Sequence, residues 1–136
     1  MATVNSFEDL AIWQKAQELA VMIYRLTQSN QKMVNDFSYK DQVKRAVLSI
    51  SNNIAEGFEY NNNNDFIRYL RIAKGSCGEV RSCLFFAVSV GYDTQESLTA
   101  TINHSKILSS QIGNLIQYLK SKKQLVTRNK NNPQPN

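Results

Sequence analysis

The sequence predicts an all-α protein, an antiparallel up-down-up-down four-helix bundle, on three observations. Apolar residues recur every three or four positions along four long stretches, the period of a helix with one buried face. Short polar segments containing Asn, Asp or Gly separate those stretches, and connections of that length place consecutive helices antiparallel. No stretch alternates with period two for long enough to make a strand. At 136 residues the chain is one domain in size, and a compact fold of that length buries roughly two-thirds of its unfolded surface.

The first helix is expected to begin after Ser6, a candidate N-cap, with Glu8 and Asp9 in its first turn at the positive end of the helix dipole. Trp13, Ala16, Ala20 and Ile23 form its core seam, widened by Leu19, Met22 and Leu26; Trp13 and Tyr24 read as buried anchors. It fades in the polar run Thr27 to Gln31. Asp36 or Ser38 caps the second helix, whose core stripe is Val43, Ala46, Val47, Ile50, Ile54 and Gly57. Gly57 is expected to end it in the left-handed conformation. Opposite the stripe lie Arg45, Ser49, Asn52 and Glu56, a line with few of the long charged residues of a solvated face. Such a line suggests a second packed surface.

Tyr60 to Asp65, with four consecutive asparagines, is a polar loop, because amide side chains compete with the helical backbone for hydrogen bonds. The third helix, about residues 65 to 90, carries Phe66, Leu70, Ala73, Cys77, Val80 and Leu84 toward the core. Gly75, Gly78, Ser82 and Phe86 share its other side. Two glycines inside a helix cost roughly 0.5–1 kcal/mol each relative to alanine, so this side reads as one that another helix, from a second subunit, approaches closely. Gly91 ends the helix, and Asp93 or Thr94 with Glu96 begins the fourth. Leu98, Ile102, Leu108, Ile112, Leu115, Ile116 and Leu119 carry that helix to about Lys122. The expected organisation is a bundle over 1–122 and a basic, Asn- and Pro-containing disordered tail over 123–136.

The formal net charge of +5 is unevenly placed along the chain. Residues 1–119 hold eleven basic and eleven acidic residues, so the whole excess lies in Lys120, Lys122, Lys123, Arg128 and Lys130. A tail of this kind either attracts phosphate without sequence preference or simply keeps the chain in solution. Cys77 and Cys83, six residues apart on one helix, point about 240° from each other and cannot form a disulfide. Neither a secretory leader nor an apolar run of membrane-spanning length is present, which makes a cytoplasmic location the expectation. His104 is the sole histidine and has no Glu-x-x-His pair beside it, so no metal and no cofactor are expected. No phosphate-cradling glycine loop follows a strand, Glu56 and Glu79 read as ion-pair partners, and enzyme activity ranks below a binding or scaffolding role.

Three motifs then point in one direction. Phe7-Glu8-Asp9-Leu10 with Trp13-Gln14-Lys15-Ala16, the run Gln42 to Gly57, and Phe66, Tyr69-Leu70-Arg71-Ile72-Ala73 with Gly75-Ser76 and Glu79 resemble the intervening-sequence proteins found inside bacterial large-subunit ribosomal RNA genes. That four-helix-bundle family also includes the accessory variability determinant of diversity-generating retroelements. The resemblance covers about residues 6 to 122. Two positions depart from it: Ser51 stands where the family commonly has proline, and Gly78 where a larger residue is common. The resemblance implies a pentamer of bundles without catalytic activity; in the retroelement branch it implies a reverse transcriptase partner and nucleic-acid binding.

The residues and the resemblance together give two readings. The first is a non-enzymatic homo-oligomeric scaffold that binds RNA or DNA, structured RNA foremost, through Lys44, Arg45, Arg68, Arg71, Lys74, Arg81, Lys120, Lys122 and Lys123. Its oligomer interface would use Ser49, Asn52, Glu56, Gly75, Gly78, Ser82 and Phe86. The second is an adaptor for another protein, a reverse transcriptase or a ribosome-associated factor, with no nucleic-acid binding of its own. On that reading the basic residues of the third helix are an ordinary solvated flank.

Overall fold

The computed structural model describes residues 4–131, with side chains as far as Lys122. A 3-10 turn, Phe7–Asp9, precedes four helices: α1 (Ala11–Ser29), α2 (Phe37–Glu59), α3 (Asn63–Ser89) and α4 (Gln95–Asn131). Among the described residues α1 packs on α2, α2 on α3, α3 on α4 and α4 back on α1, with no packing across either diagonal. That square is the antiparallel bundle the apolar stripes predict. Leu19, Ile23, Val47, Ile50, Ile54, Leu70, Leu84, Leu108 and Ile112 are fully buried along its axis.

The first helix starts later than its sequence suggests. Leu10 is extended (φ −72°, ψ 126°) and separates the 3-10 turn from α1. Ser6 caps no backbone group with its side chain; its hydroxyl instead donates to the Asp9 carboxylate at 3.0 Å. The core register changes with the start: Ile12 is buried with Ala16, Leu19, Ala20 and Ile23. Trp13 and Tyr24 are half-buried at the edge and not within the core, and Trp13 packs edge-on to Phe7 at 5.3 Å.

α2 begins where Asp36 accepts a hydrogen bond from the Tyr39 backbone N–H at 3.0 Å. It passes unbroken through Ser51, which is buried. Gly57 does not end the helix. A Cβ built there would lie 2.6 Å from the Tyr69 Cβ, so glycine is present because the backbones of α2 and α3 approach closely at this point. The left-handed residue is Asn61, with φ 52°. The asparagine run divides accordingly: Asn61 turns the chain, Asn62 accepts from the Asp65 N–H at 3.1 Å, and Asn63 opens α3.

α3 ends in a Schellman arrangement. Gly91 has φ 78°, its N–H donates to the Val88 carbonyl, and the Tyr92 N–H donates to the Ala87 carbonyl at 2.8 Å. Thr94 then caps α4 by accepting from the Ser97 N–H at 3.1 Å. The two loops at this end are tied together: Asn30 donates to the Tyr92 carbonyl at 3.0 Å, and the Tyr92 hydroxyl donates to Asp36 at 2.7 Å. At the opposite end the backbone of α4 continues past Lys122 to Asn131. The disorder expected of 123–136 concerns side chains, and at 132–136 the backbone too, that lie outside the described residues. No described helix is long and apolar enough to cross a membrane.

Candidate nucleic-acid interface

Of the positions expected to face another subunit, Asn52 and Glu56 on α2 and Gly75, Ser82 and Phe86 on α3 are exposed on the single chain. A Cβ at Gly75 or Gly78 would meet nothing within 4 Å, so in the subunit itself these glycines serve no close approach. Ser49 is placed differently. It is half-buried in the α2–α3 seam, where it accepts hydrogen bonds from Ser76 Oγ at 2.9 Å and from Asn53 Nδ2 at 3.0 Å. Its place on the polar line comes from the helical wheel alone; Ser76 of α3 partly covers it.

The same face of α3 carries a further apolar residue outside the seven positions expected at the interface. Ile72 is 45% exposed and Phe86 52%. Spaced as Ile72, Gly75, Glu79, Ser82 and Phe86, they form one outward line at 3-4-3-4 intervals, the signal that could have drawn Ile72 into it. An open groove of about 520 Å³, lined by Tyr39, Gln42, Ser82, Cys83 and Phe86, continues that line onto α2.

The basic positions do not gather as one cluster. Lys44 lies on the α1-facing edge of α2, its Nζ 4.7 Å from the centre of the Tyr24 ring. Arg45 pairs with Asp41 at 2.9 Å and Arg68 with Asp65 at 3.3 Å, both on the surface. Arg68 also lies over the Tyr69 ring, which is stacked on Tyr60. Lys74 reaches across to α4: its Nζ donates to Ser109 Oγ at 2.8 Å, and its Cε would stand 3.5 Å from a Cβ at Gly113. Arg71 is exposed and Arg81 half-buried on the same helix, and neither forms an ion pair within the bundle among the described residues. On α4, Lys120 is half-buried and Lys122 sits over Tyr118 at 5.0 Å. Lys123 lies outside the described side chains.

His104, Cys77 and Glu79 all make contacts within the bundle. His104 Nε2 lies 2.9 Å from the Lys15 carbonyl, where it serves as a donor linking α4 to α1. Burial pushes the Cys77 thiol up to about 11, with Arg81 and Lys74 pulling weakly the other way, so the sulfur stays a protonated core atom at neutral pH. Glu79 accepts from Gln42 across the α2–α3 seam. Among the described residues no group of three or more His, Cys, Asp or Glu side chains is placed to hold a metal ion.

Residues 8–114 match the family described as 23S rRNA-intervening sequence protein. The chain is also similar to a solved structure, a protein of unknown function from the S23 ribosomal protein family of Bacteroides thetaiotaomicron. The two are 26% identical and superpose with a TM-score of 0.72, over 78% of this chain and 98% of that one. No curated protein matches the chain in sequence.

Proposed function

Because the chain belongs to the 23S rRNA-intervening sequence protein family, we propose that it is a cytoplasmic, non-enzymatic, homo-oligomeric scaffold that binds structured RNA. The observation that carries the assembly half is the outward line on α3. Exposed Ile72 and Phe86 flank glycines with open space above them, a surface shaped to accept a helix and costly to leave in water. Five copies are the expected number, as the resemblance implies. The RNA half rests on the basic residues from Lys120 onward, carried at the free end of α4, which a ring of subunits repeats in each copy.

Light scattering of the purified protein tests the first half. A mass that is a multiple of 15.5 kDa supports it, and a single-subunit mass at micromolar concentration overturns it. For the second half, affinity for an RNA hairpin is measured across a salt series, with and without residues 120–136. Affinity that falls with rising salt, with a shallower slope after the truncation, supports the reading. An oligomer that binds no RNA but retains a protein such as the reverse transcriptase of a retroelement would establish the adaptor role instead.

A further inference from the structure

The bundle is neutral in sum over residues 1–119, yet its acids and bases are not mixed in space. Between Arg71 and Ser89 the only acid on α3 is Glu79, and its carboxylate is turned to Gln42 on α2. From Ser97 to Asn136 the sequence contains no acidic residue. The edge of α3 that meets α4 is fixed by Lys74, whose head bonds Ser109 and whose stem lies over Gly113. Arg81 is seven residues on from Lys74 and so falls on the same edge, where both charges act on the Cys77 thiol between them. On α4, Lys106, Gly113 and Lys120 repeat at seven-residue spacing along the line that Lys74 touches. Lys106 is exposed, and no basic neighbour in sequence marks it out.

We propose that the acid-free face formed by α3 and α4, with Lys74 and Arg81 on one helix and Lys106 and Lys120 on the other, binds the phosphate backbone of double-stranded RNA. This rests on the RNA-binding reading and gives it a place on the folded body, with Lys120 the one cation that the face shares with the tail. Lys106 and Lys120 stand about 21 Å apart along α4, and helix axes packed side by side are about 8–10 Å apart, so the cations form two rows on a strip. Lys74 has two N–H groups left after its bond to Ser109, held in position for a phosphate oxygen. Exposed Ser110 and Gln117 beside the lysine line supply neutral hydrogen-bonding groups suited to 2′-hydroxyls, the contact by which double-stranded RNA is recognised through shape. The carboxylates of Asp41, Glu56 and Glu59 lie on α2, away from this strip, so a copy packed against the α2–α3 face leaves it open.

The test compares two triple variants of the full chain that lose the same charge: Lys74→Gln, Arg81→Gln and Lys106→Gln on the face, against Lys15→Gln, Arg25→Gln and Lys40→Gln elsewhere. A 20-base-pair RNA hairpin is titrated by fluorescence anisotropy over a potassium chloride series, with a single strand of equal length and poly-glutamate as further probes. The face triple is expected to weaken hairpin binding about tenfold or more and to reduce the slope of log Kd against log salt by about two to three, one for each phosphate left without its cation. The second triple is expected to stay within about threefold of the parent. Equal effects of the two triples on a protein that binds the hairpin overturn the face and leave the tail as the RNA site. Binding of poly-glutamate or of the single strand as tight as that of the hairpin also overturns it. A parent protein that binds no RNA at any salt overturns the underlying reading as well. Circular dichroism melts within about two degrees of the parent establish that both triples are folded.

Discussion

Gly57 and Gly75 are the same residue in opposite circumstances, and substitution separates them. At Gly57 an added methyl lies 2.6 Å from the Tyr69 Cβ, an atom fixed to the backbone, so α2 and α3 must part. Overpacking of this kind costs about 1–3 kcal/mol, against which alanine's better helix propensity returns at most about 1 kcal/mol. Gly57→Ala is therefore expected to lower the unfolding free energy measured in urea. At Gly75 the methyl enters open space, and Gly75→Ala is expected to stabilise the isolated subunit by about 0.5–1 kcal/mol. If the α3 face is covered as proposed, that variant also shifts the light-scattering mass toward single subunits. Asp36 carries a pH dependence: the Tyr39 backbone N–H, then the Tyr92 hydroxyl, hold its carboxyl below the usual range. A depressed folded value means that the unfolded chain binds the proton more readily. The contribution is thus present above about pH 4, the ordinary Asp value, and is lost as pH falls through the lower folded value. Melting temperature followed from pH 6 to pH 2 should fall more steeply for the parent than for Asp36→Asn, and equal slopes would remove Asp36 from the acid transition.

The four helices were legible because each writes its period over several turns, and so was the stop at Gly91; for α2 and α4 the sequence offered two caps each, of which Asp36 and Thr94 accept the hydrogen bond. Gly91→Ala places a Cβ at φ 78°, which costs about 1–2 kcal/mol, and a melt of that variant should show a drop in stability of this size. What the sequence misplaced depends on partners far along the chain. A glycine near the end of an apolar stripe reads as a helix stop, but Gly57 is decided by Tyr69 on the next helix. Ser49 reads as outward until Ser76 reaches it across the seam. Trp13 has the size of a core anchor, yet the extended Leu10 delays α1 and turns Ile12 inward in its place. The absence of proline at Ser51 was readable, and its consequence followed: α2 keeps a continuous hydrogen-bonded backbone through a buried serine.

A one-dimensional charge count gives a neutral body and a basic tail, and that sum hides the segregation. Seven of the eleven acids precede Asn61, while α3 and α4 hold ten of the sixteen basic residues, a division that acquires meaning only when neighbouring helices are known. The α3 line of Ile72 and Phe86 and the α3–α4 cationic strip lie on different sides of one helix, so assembly and RNA binding need not compete. They should reinforce each other instead, since copies joined through the first present several strips to one RNA, and linked sites commonly gain about 10²–10⁴ in apparent affinity. Replacing Ile72 and Phe86 together by serine removes side chains about half exposed on the single subunit, together with the Phe86 stack on Tyr39 at 6.1 Å, so the melting temperature of the subunit should fall modestly while the rest of the core stays packed. Light scattering is expected to give one-subunit mass for this double variant. Its affinity for a hairpin long enough to touch several strips should fall by about 10²-fold, while a short hairpin that spans one strip should be bound within about threefold of the parent. Equal weakening on the two RNAs would mean that the α3 line touches RNA directly, and the two faces would then have to be regarded as one.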